Sequence, residues 1–218
     1  MSPAESDAAE REQRQLTEAA RTLGVSLSPA QALGALRLLD ELDGWNRTYS
    51  LTAITGRDAM ITGHLLDSLS AFAELSGTRI ADVGTGAGFP GLPLALVCPQ
   101  RQFTLIDSVT KKIRFVTHAT RVLELSNVTA LSARVEALAP AEPFDTVLAR
   151  AFAALPDLLR AVAGLCGPAT RVLAFKGRYP RDELAELPPG WRLEHSVQVT
   201  IPGLNAERHL LRLAPPVA

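Results

Sequence analysis

The spacing of hydrophobic and polar positions changes near residue 79 of this chain. Before that point, apolar residues recur every three or four positions in the segments 9–23, 28–44 and 57–75, which is typical of amphipathic helices. Beyond it, short apolar runs alternate with segments of helical spacing. The pattern therefore predicts an N-terminal helical appendage followed by an α/β domain.

The second part of the chain alternates between predicted strands and helices. Helices are expected at 90–98, 109–125 and 155–166. Strands are expected at 79–83, 102–106, 128–132, 144–148 and 170–176, and near 191–199 and 207–213. This order predicts a mostly parallel, doubly wound sheet, and the last two strands, joined through Pro202 and Gly203, predict an antiparallel hairpin at one edge. We divide the chain into a disordered tail at 1–8, the appendage at 9–76 and the α/β domain at 77–218.

The second predicted helix carries a clear start signal. Ser28 is expected as its N-cap and Pro29 lies in its first turn. Leucines at intervals of three predict the buried stripe of this helix, at Leu33, Leu36, Leu39 and Leu42.

A glycine-rich loop follows the first predicted strand and is the most informative segment. The strand ends in Asp82, and Gly84, Gly86 and Gly88 then occupy every second position, which lets the backbone turn tightly and approach a ligand. The dinucleotide fingerprint needs its third glycine where this chain has Phe89, so an NAD site is disfavoured. Asp82 is also expected to brace the loop amides as a buried acceptor. The loop resembles motif I of the S-adenosylmethionine-dependent methyltransferases.

A carboxylate stands where a nucleoside-binding loop requires one. Asp107 ends the second predicted strand, 23 residues after Gly84, and is placed to accept hydrogen bonds from both ribose hydroxyls of an adenosine. The alternative is an N-cap, because a predicted helix follows directly.

Composition narrows the protein class. The chain has 218 residues, 47% of them hydrophobic, which is enough for one α/β domain with an appendage. Cys98 and Cys166 lie in apolar surroundings without partner spacing and are expected to be inert. We see no membrane span and no signal peptide, and therefore expect a cytoplasmic protein. No cluster has metal-ligand spacing, so no metal is expected.

The formal net charge of −1 conceals local basic clusters. The segment from Arg101 to Arg121 carries five basic residues against one acid, and a second basic run extends from Arg171 to Arg181. Either cluster could contact phosphates or form a solvated surface, and the sequence alone leaves both open. The candidate RNA-binding residues are Lys111, Lys112, Arg114, Lys176, Arg178 and Arg208.

Motifs along nearly the whole chain resemble those of the ribosomal small-subunit RNA methyltransferase G family. They run in order from about Val25 to Leu213. Besides the glycine loop, the segments that carry the resemblance are Trp45-Asn46, Tyr49 to Ile54, His64 to Leu69, Leu105 to Lys112, Ser132 to Glu136, Phe144-Asp145, Ala149 to Phe152, Phe175 to Gly177 and Glu207 to Leu210. One departure is Ser50, where the family usually has Asn.

The resemblance implies a Rossmann-like fold and an enzyme that transfers a methyl group from S-adenosylmethionine to N7 of a guanosine in 16S rRNA. The substrate would be the RNA alone or the small ribosomal subunit, and the enzyme a monomer. By position, the family's cofactor-binding residues correspond to Gly84, Phe89, Asp107, Val135, Glu136 and Arg150. The candidate catalytic residues are Arg150 and His64.

The residues after the fourth predicted strand agree with a ring-nitrogen target. Guanine N7 carries a lone pair and no proton, so its methylation needs alignment rather than a general base. The segment from Leu148 to Phe152 lacks the Asn/Asp-Pro-Pro-aromatic motif of exocyclic amine methyltransferases. His64 could equally be an interior histidine, and Phe152 a core residue. A methyltransferase for another RNA or small molecule, and a silent donor-binding assembly module, stay open as alternatives.

Overall fold

A seven-stranded mixed sheet forms the centre of the structure, a computed structural model that describes residues 3–216. Its strands are β1 (Arg79–Val83), β2 (Gln102–Asp107), β3 (Val128–Ser132), β4 (Phe144–Arg150), β5 (Cys166–Lys176), β6 (Arg192–Gln198) and β7 (His209–Ala214). The sheet order is β3-β2-β1-β4-β5-β7-β6. The first five strands are parallel, whereas β7 runs antiparallel to both β5 and β6. The predicted doubly wound sheet with an antiparallel edge hairpin is therefore confirmed.

Helices cover both sides of this sheet. They are α1 (Pro3–Thr22), α2 (Pro29–Tyr49), α3 (Arg57–Met60), α4 (Asp67–Leu69), α5 (Gly91–Val97), α6 (Thr110–Val122), α7 (Leu155–Val162) and α8 (Arg181–Ala185). Alternate strand residues face opposite sides, so that Ile80 packs toward α2, α5 and α6, and Ala81 packs toward α7. Helices that connect parallel strands place the carboxyl ends of those strands, and the loops that follow them, along one edge of the sheet.

The first helix starts earlier than the sequence indicates. Residues 3–8 belong to α1 and not to a disordered tail, while residues 1 and 2 lie outside the described residues. Proline is favoured in a first helical turn and the alanines and glutamates that follow are good helix formers. Helices α1 and α2 share one apolar core with the sheet, through residues such as Leu16, Leu39 and Phe103. The division into appendage and domain stays a prediction.

Helix α2 is capped as expected, and Leu36, Leu39 and Leu42 of its predicted stripe are buried. Ser28 and Gln31 form a reciprocal capping box, with the Ser28 hydroxyl accepting from the Gln31 amide at 3.2 Å and the Gln31 side chain accepting from the Ser28 amide at 2.9 Å. Leu33 is 60% exposed, so its predicted burial is wrong. At 3.6 residues per turn, nine residues rotate by about 180°, which puts Leu33 opposite Leu42.

Ser50 ends α2 in a left-handed conformation, with φ of +47°. Asparagine and glycine tolerate this conformation better than serine does. The departure from the family at this position therefore concerns backbone conformation at a helix C-cap.

The third predicted helix is not uniformly α-helical. A π-helical segment, Ile61–Leu66, joins α3 to α4, and a 3-10 turn follows at Phe72–Glu74. The wide turns of a π-helix are frequent at functional sites, because they redirect side chains and backbone groups. His64 and the carbonyl of Gly63 both belong to this segment.

The two cysteines are unpaired and poorly reactive. Cys98 is buried at the end of α5, and burial raises the pKa of its thiol. Cys166 begins β5, beyond the end of α7 at Val162, and burial raises its pKa to about 12. Neither thiol is activated as a nucleophile.

In the part of the chain described, no helix is both long and apolar enough to cross a membrane.

Candidate active site

The glycine loop after β1 is held by one buried carboxylate. Asp82 Oδ2 accepts hydrogen bonds from the Thr85 hydroxyl at 2.6 Å and from the Gly91 amide at 2.8 Å, so its predicted bracing role is confirmed. Burial raises the pKa of Asp82 to about 6, although these two hydrogen bonds oppose the shift. Gly84 and Gly86 have φ of +66° and +61°, a conformation that favours glycine.

Asp107 joins this loop to the next crossover. Its Oδ2 accepts from the Gly86 amide at 3.0 Å and its Oδ1 from the Val109 amide at 2.8 Å, while Lys112 Nζ lies 3.6 Å from Oδ2. The N-cap of α6 is Val109, so the alternative of Asp107 as N-cap is wrong. Each carboxylate oxygen has two lone pairs, and Asp107 therefore retains acceptor capacity toward a ligand.

A cavity of about 160 Å³ opens between the loop and β2. Gly84, Asp107, Val135 and Glu136, four of the predicted cofactor-binding residues, line it together with Phe152. A Cβ atom at Gly84 would lie 2.6 Å from the Phe152 ring, which makes the absence of a side chain there a condition of this geometry. These residues fit a nucleoside ligand. Asp107 offers an acceptor to ribose hydroxyls, and Gly84 lets a substituent of the ribose pass close to the protein backbone.

Phe89 lies away from this cavity. Its buried ring stacks on the His64 imidazole at a centroid distance of 4.5 Å, and the Arg150 guanidinium lies 5.7 Å from its centroid. The structure thus groups Phe89 with His64 and Arg150 rather than with the predicted cofactor residues that line this cavity.

Arg150 is the centre of a second group of side chains. Its Nη1 donates to the Gly63 carbonyl at 2.8 Å and to Asp67 Oδ2 at 2.9 Å, and its Nη2 lies 3.3 Å from His64 Nδ1. Arg208 Nε donates to the other oxygen of Asp67 at 3.1 Å. Two arginines therefore share one buried carboxylate, which satisfies charges that would be costly to bury alone.

His64 is neutral in this environment. Burial, followed by the nearby Arg150 charge, lowers the pKa of His64 to about 3. Its Nε2 lies 3.0 Å from the Thr52 hydroxyl, and Thr52 is held in turn by reciprocal hydrogen bonds with the side chain of Asn46. The interpretation of His64 as an interior histidine is confirmed, whereas its role in catalysis stays a prediction.

A larger cavity of about 450 Å³ lies beside the first. Arg150, Phe152, Lys176 and Arg208 line it, and Phe152 also lines the smaller cavity. The ring of Phe152 therefore forms part of the boundary between the two spaces. The preceding residue, Ala151, has φ of +51°, and strain of this kind is concentrated at functional sites.

The predicted RNA-binding residues fall into two groups, one on α6 and one at or near the larger cavity. Lys111 donates to the Tyr49 carbonyl at 2.9 Å and Lys112 faces Asp107, whereas Arg114 projects from α6 into a groove shared with Trp45 and Arg121. Across the site, Lys176 pairs with Glu183 at 2.7 Å, and Arg178 is exposed.

Sequence reasoning missed Asp67 and Thr52, which connect the site residues to one another. Asp67 was visible only as a neighbour of His64 on a helix, and its ion pairs reach 83 and 141 residues along the chain.

Within residues 3–216, no three His, Cys, Asp or Glu side chains lie close enough together to hold a metal ion.

Comparisons with known proteins agree with this geometry. A family model described as rRNA small subunit methyltransferase G matches residues 31–211. The Ribosomal RNA small subunit methyltransferase G of Nitrosococcus oceani is 46% identical over 193 residues, covering 88% of this chain and 90% of the relative. The protein of the same name from Escherichia fergusonii is 40% identical over 200 residues, covering 92% and 97%.

Solved structures share the fold at lower identity. TrmN from Thermus thermophilus superposes with a TM-score of 0.56 at 24% identity, covering 71% of this chain and 53% of that one. The magnesium protoporphyrin IX methyltransferase of Synechocystis PCC 6803, solved with S-adenosylmethionine bound, gives 0.56 at 18% identity, covering 80% and 90%. These neighbours are Rossmann-like methyltransferases. The family match and the relatives together establish that the chain belongs to the rRNA small subunit methyltransferase G family.

Proposed function

We propose that this S-adenosylmethionine-dependent rRNA methyltransferase methylates N7 of a guanosine in 16S rRNA. The observation that carries the proposal is the pair of adjoining cavities that share the ring of Phe152. Gly84 and Asp107 line the smaller cavity, and Arg150 and Arg208 line the larger. Two spaces at the carboxyl edge of a parallel sheet suit a donor and an acceptor that must meet.

The smaller cavity suits the donor. Asp107 would accept hydrogen bonds from the ribose hydroxyls, and Val135 and Glu136 would flank the adenine. Gly84 leaves room for the methionine portion, while Asp82 keeps the loop backbone in place. When bound, S-adenosylmethionine supplies an electrophilic methyl group on a sulfonium.

The larger cavity suits a nucleophile that needs no proton removed. N7 of guanine attacks through an in-plane lone pair, so alignment is the main requirement. His64 cannot serve as a base at neutral pH in this arrangement, because both of its nitrogens are engaged and its pKa is about 3. Arg150 would therefore form part of the cavity wall beside the base, with His64 bound behind it, and neither would accept a proton.

Basic residues flank the site and would hold the RNA. Arg114 lies on one side, and Lys176, Arg178 and Arg208 lie on the other. One chain supplies both cavities and these charges, which supports action as a monomer. The substrate class would be 16S rRNA, alone or within the small ribosomal subunit.

Methyl transfer to defined RNA tests the function. The purified protein is incubated with labelled S-adenosylmethionine and with 16S rRNA or small subunits from a strain that lacks this gene, and the modified base is mapped. We expect one labelled guanosine, and we expect 7-deazaguanosine at that position to abolish transfer while RNA binding is retained. Labelling of transfer RNA or of a small molecule instead, or donor binding without any transfer, would support one of the alternative functions.

A further inference from the structure

The Asp67 carboxylate connects two arginines from distant parts of the chain. Its side chain is only 6% exposed, and each of its oxygens accepts from a different guanidinium, Arg150 through Nη1 and Arg208 through Nε. Arg150 ends β4, and Arg208 directly precedes β7. One carboxylate therefore sets the orientation of both arginines at the larger cavity.

The two arginines differ in the donors they have left. Arginine carries five N–H groups. In Arg150 three of them are used by Gly63, Asp67 and His64, and its side chain is 18% exposed. In Arg208, Nε is used by Asp67 and one Nη1 hydrogen by the Glu207 carbonyl, which leaves three donors on the outer edge of a side chain that is 28% exposed. Arg150 keeps two donors and is less exposed, so Arg208 is the arginine with more donors available to a ligand.

The wall of the larger cavity also keeps one uncompensated positive charge, which Arg150 and Arg208 share. Lys176 is paired with Glu183, and Asp67 offsets one of the two arginine charges beside it. A guanidinium with its outer edge open suits two oxygens of one phosphate, because the two groups match in a bidentate geometry. An arginine bound instead to guanine O6 and N7 would occupy the lone pair that must attack the methyl group.

We propose that Asp67 is a positioning residue that turns the outer edge of Arg208 toward the RNA, so that Arg208 holds a phosphate next to the target guanosine. This inference rests on the proposed function. It assigns Arg150 to the protein wall and Arg208 to the substrate, although both contact the same carboxylate.

The variant Asp67→Asn tests this role through the sign of its effect. Removing a negative charge close to RNA should by Coulomb attraction alone strengthen RNA binding. If Asp67 positions Arg208, the variant should instead weaken binding of 16S rRNA roughly tenfold and lower the slope of log affinity against log salt by about 0.7 to 0.9, the loss of one phosphate contact. Affinity for S-adenosylhomocysteine should stay within about twofold of wild type, since Asp67 does not line the donor cavity.

A matched control is Glu74→Gln. Glu74 is also a partly buried carboxylate bound to one arginine, Arg212 at 3.0 Å, but it lines neither cavity. We expect its RNA affinity and salt slope to match wild type.

A double-mutant cycle with Arg208→Gln completes the test. If Asp67 acts through Arg208, adding Asp67→Asn to Arg208→Gln should change RNA affinity less than about twofold. Should Asp67→Asn fail to fold, the double variant is compared with Arg208→Gln alone. In the double variant neither position 67 nor position 208 carries a charge. Unchanged or stronger RNA binding in Asp67→Asn, a matching loss of donor affinity, or a further tenfold loss in the double variant would overturn the proposal.

The outcome is separable from that of the proposed function. RNA binding is measured with S-adenosylhomocysteine present and needs no turnover. A wild-type protein that binds RNA but transfers no methyl group would contradict the proposed function, whereas an Asp67→Asn variant indistinguishable from an active wild type would contradict only the positioning role.

Discussion

His64 Nδ1 accepts a hydrogen bond from Arg150 Nη2 across 3.3 Å, and this contact fixes the tautomer of the imidazole. Arginine is only a donor, so Nδ1 carries no proton and Nε2 must carry it. The protonated Nε2 then donates to the Thr52 hydroxyl at 3.0 Å. A second proton on His64 would point at a guanidinium, which agrees in direction with the lowered pKa of about 3.

The buried neutral His64 should make the fold sensitive to acid. Its pKa is about 3 in the folded state and about 6.5 when unfolded, so its contribution is fully present above pH 6.5 and is lost as the pH falls toward 3. Between pH 7 and pH 5 this amounts to about 2 kcal/mol. Urea unfolding of wild type and of His64→Gln at pH 7 and at pH 5 measures this contribution. Between the two pH values, we expect the free energy of unfolding to fall less in the variant than in wild type, by about 2 kcal/mol. Parallel losses in both proteins would show that His64 is already charged or exposed in the fold.

Replacing Arg150 by lysine should lower turnover without changing how turnover depends on pH. One ammonium cannot reproduce the contacts that two guanidinium nitrogens make with Gly63, Asp67 and His64. We expect kcat to fall roughly a hundredfold, in line with the loss of precise alignment. The pH profile of kcat should keep its shape, because no proton is transferred to Arg150. A new ionisation in the profile of the variant would indicate a base-dependent mechanism.

The variant Gly84→Ala should lose donor affinity. The added Cβ atom would lie 2.6 Å from the Phe152 ring in a backbone with φ of +66°, so the ring must move into one of the cavities that it lines. We expect affinity for S-adenosylhomocysteine to fall roughly tenfold or more by calorimetry. Gly24→Ala is the control, since Gly24 has φ of +77° and nothing within 4 Å of an added Cβ. It should cost about 1 kcal/mol of stability through backbone strain and leave donor binding intact.

Asp107→Asn should weaken donor binding more than it weakens the fold. Asparagine keeps one acceptor for the amides of Gly86 and Val109 but removes the charge beside Lys112 and half of the acceptor capacity toward ribose hydroxyls. We expect a tenfold to hundredfold loss of S-adenosylhomocysteine affinity, equivalent to about 1.4 to 2.8 kcal/mol. Asp145→Asn is matched, because Asp145 accepts from two backbone amides and lines neither cavity. If both variants bind the donor equally well, Asp107 braces the loop and nothing more.

The exposed arginines of α6 should contribute to RNA binding through phosphates. Arg114→Ala and Arg121→Ala are each expected to lower the slope of log affinity against log salt by about 0.7 to 0.9. Lys112→Ala should act mainly on donor affinity, because Lys112 faces Asp107. Arg160→Ala, an exposed arginine on α7 across the sheet, serves as the control. A slope unaffected by either α6 variant would identify this surface as a plain solvated helix face.

The geometry around the glycine loop could be predicted from the sequence because its parts are local. Asp82, Gly84 and Asp107 belong to one strand, loop, helix and strand unit, in which spacing along the chain fixes position in space. The start of α2 at Ser28 was predictable for the same reason, since a capping box is formed by residues three apart.

The cluster around Asp67 could not be predicted in the same way. Nothing near Asp67 in the sequence indicates that residues 150 and 208 will meet there, because those contacts depend on the packing of the finished sheet. Lys111 and Lys112 show that residues adjacent in sequence can also contact different parts of the structure. They are adjacent in sequence, yet a helix turns successive side chains by about 100°, so one reaches Tyr49 and the other Asp107.

The position of β7 between β5 and β6 makes the sheet depend on its last strand during synthesis. Among the described residues, β6 pairs with β7 alone, and the outer edge of β5 is covered by β7. A nascent chain that has not yet released residues 208–214 from the ribosome has an unpaired β5 edge and only one arginine on Asp67. Strand β7 therefore both covers the edge of β5 and brings Arg208 to Asp67, so a chain that still lacks β7 has neither a closed sheet nor the second arginine at the larger cavity.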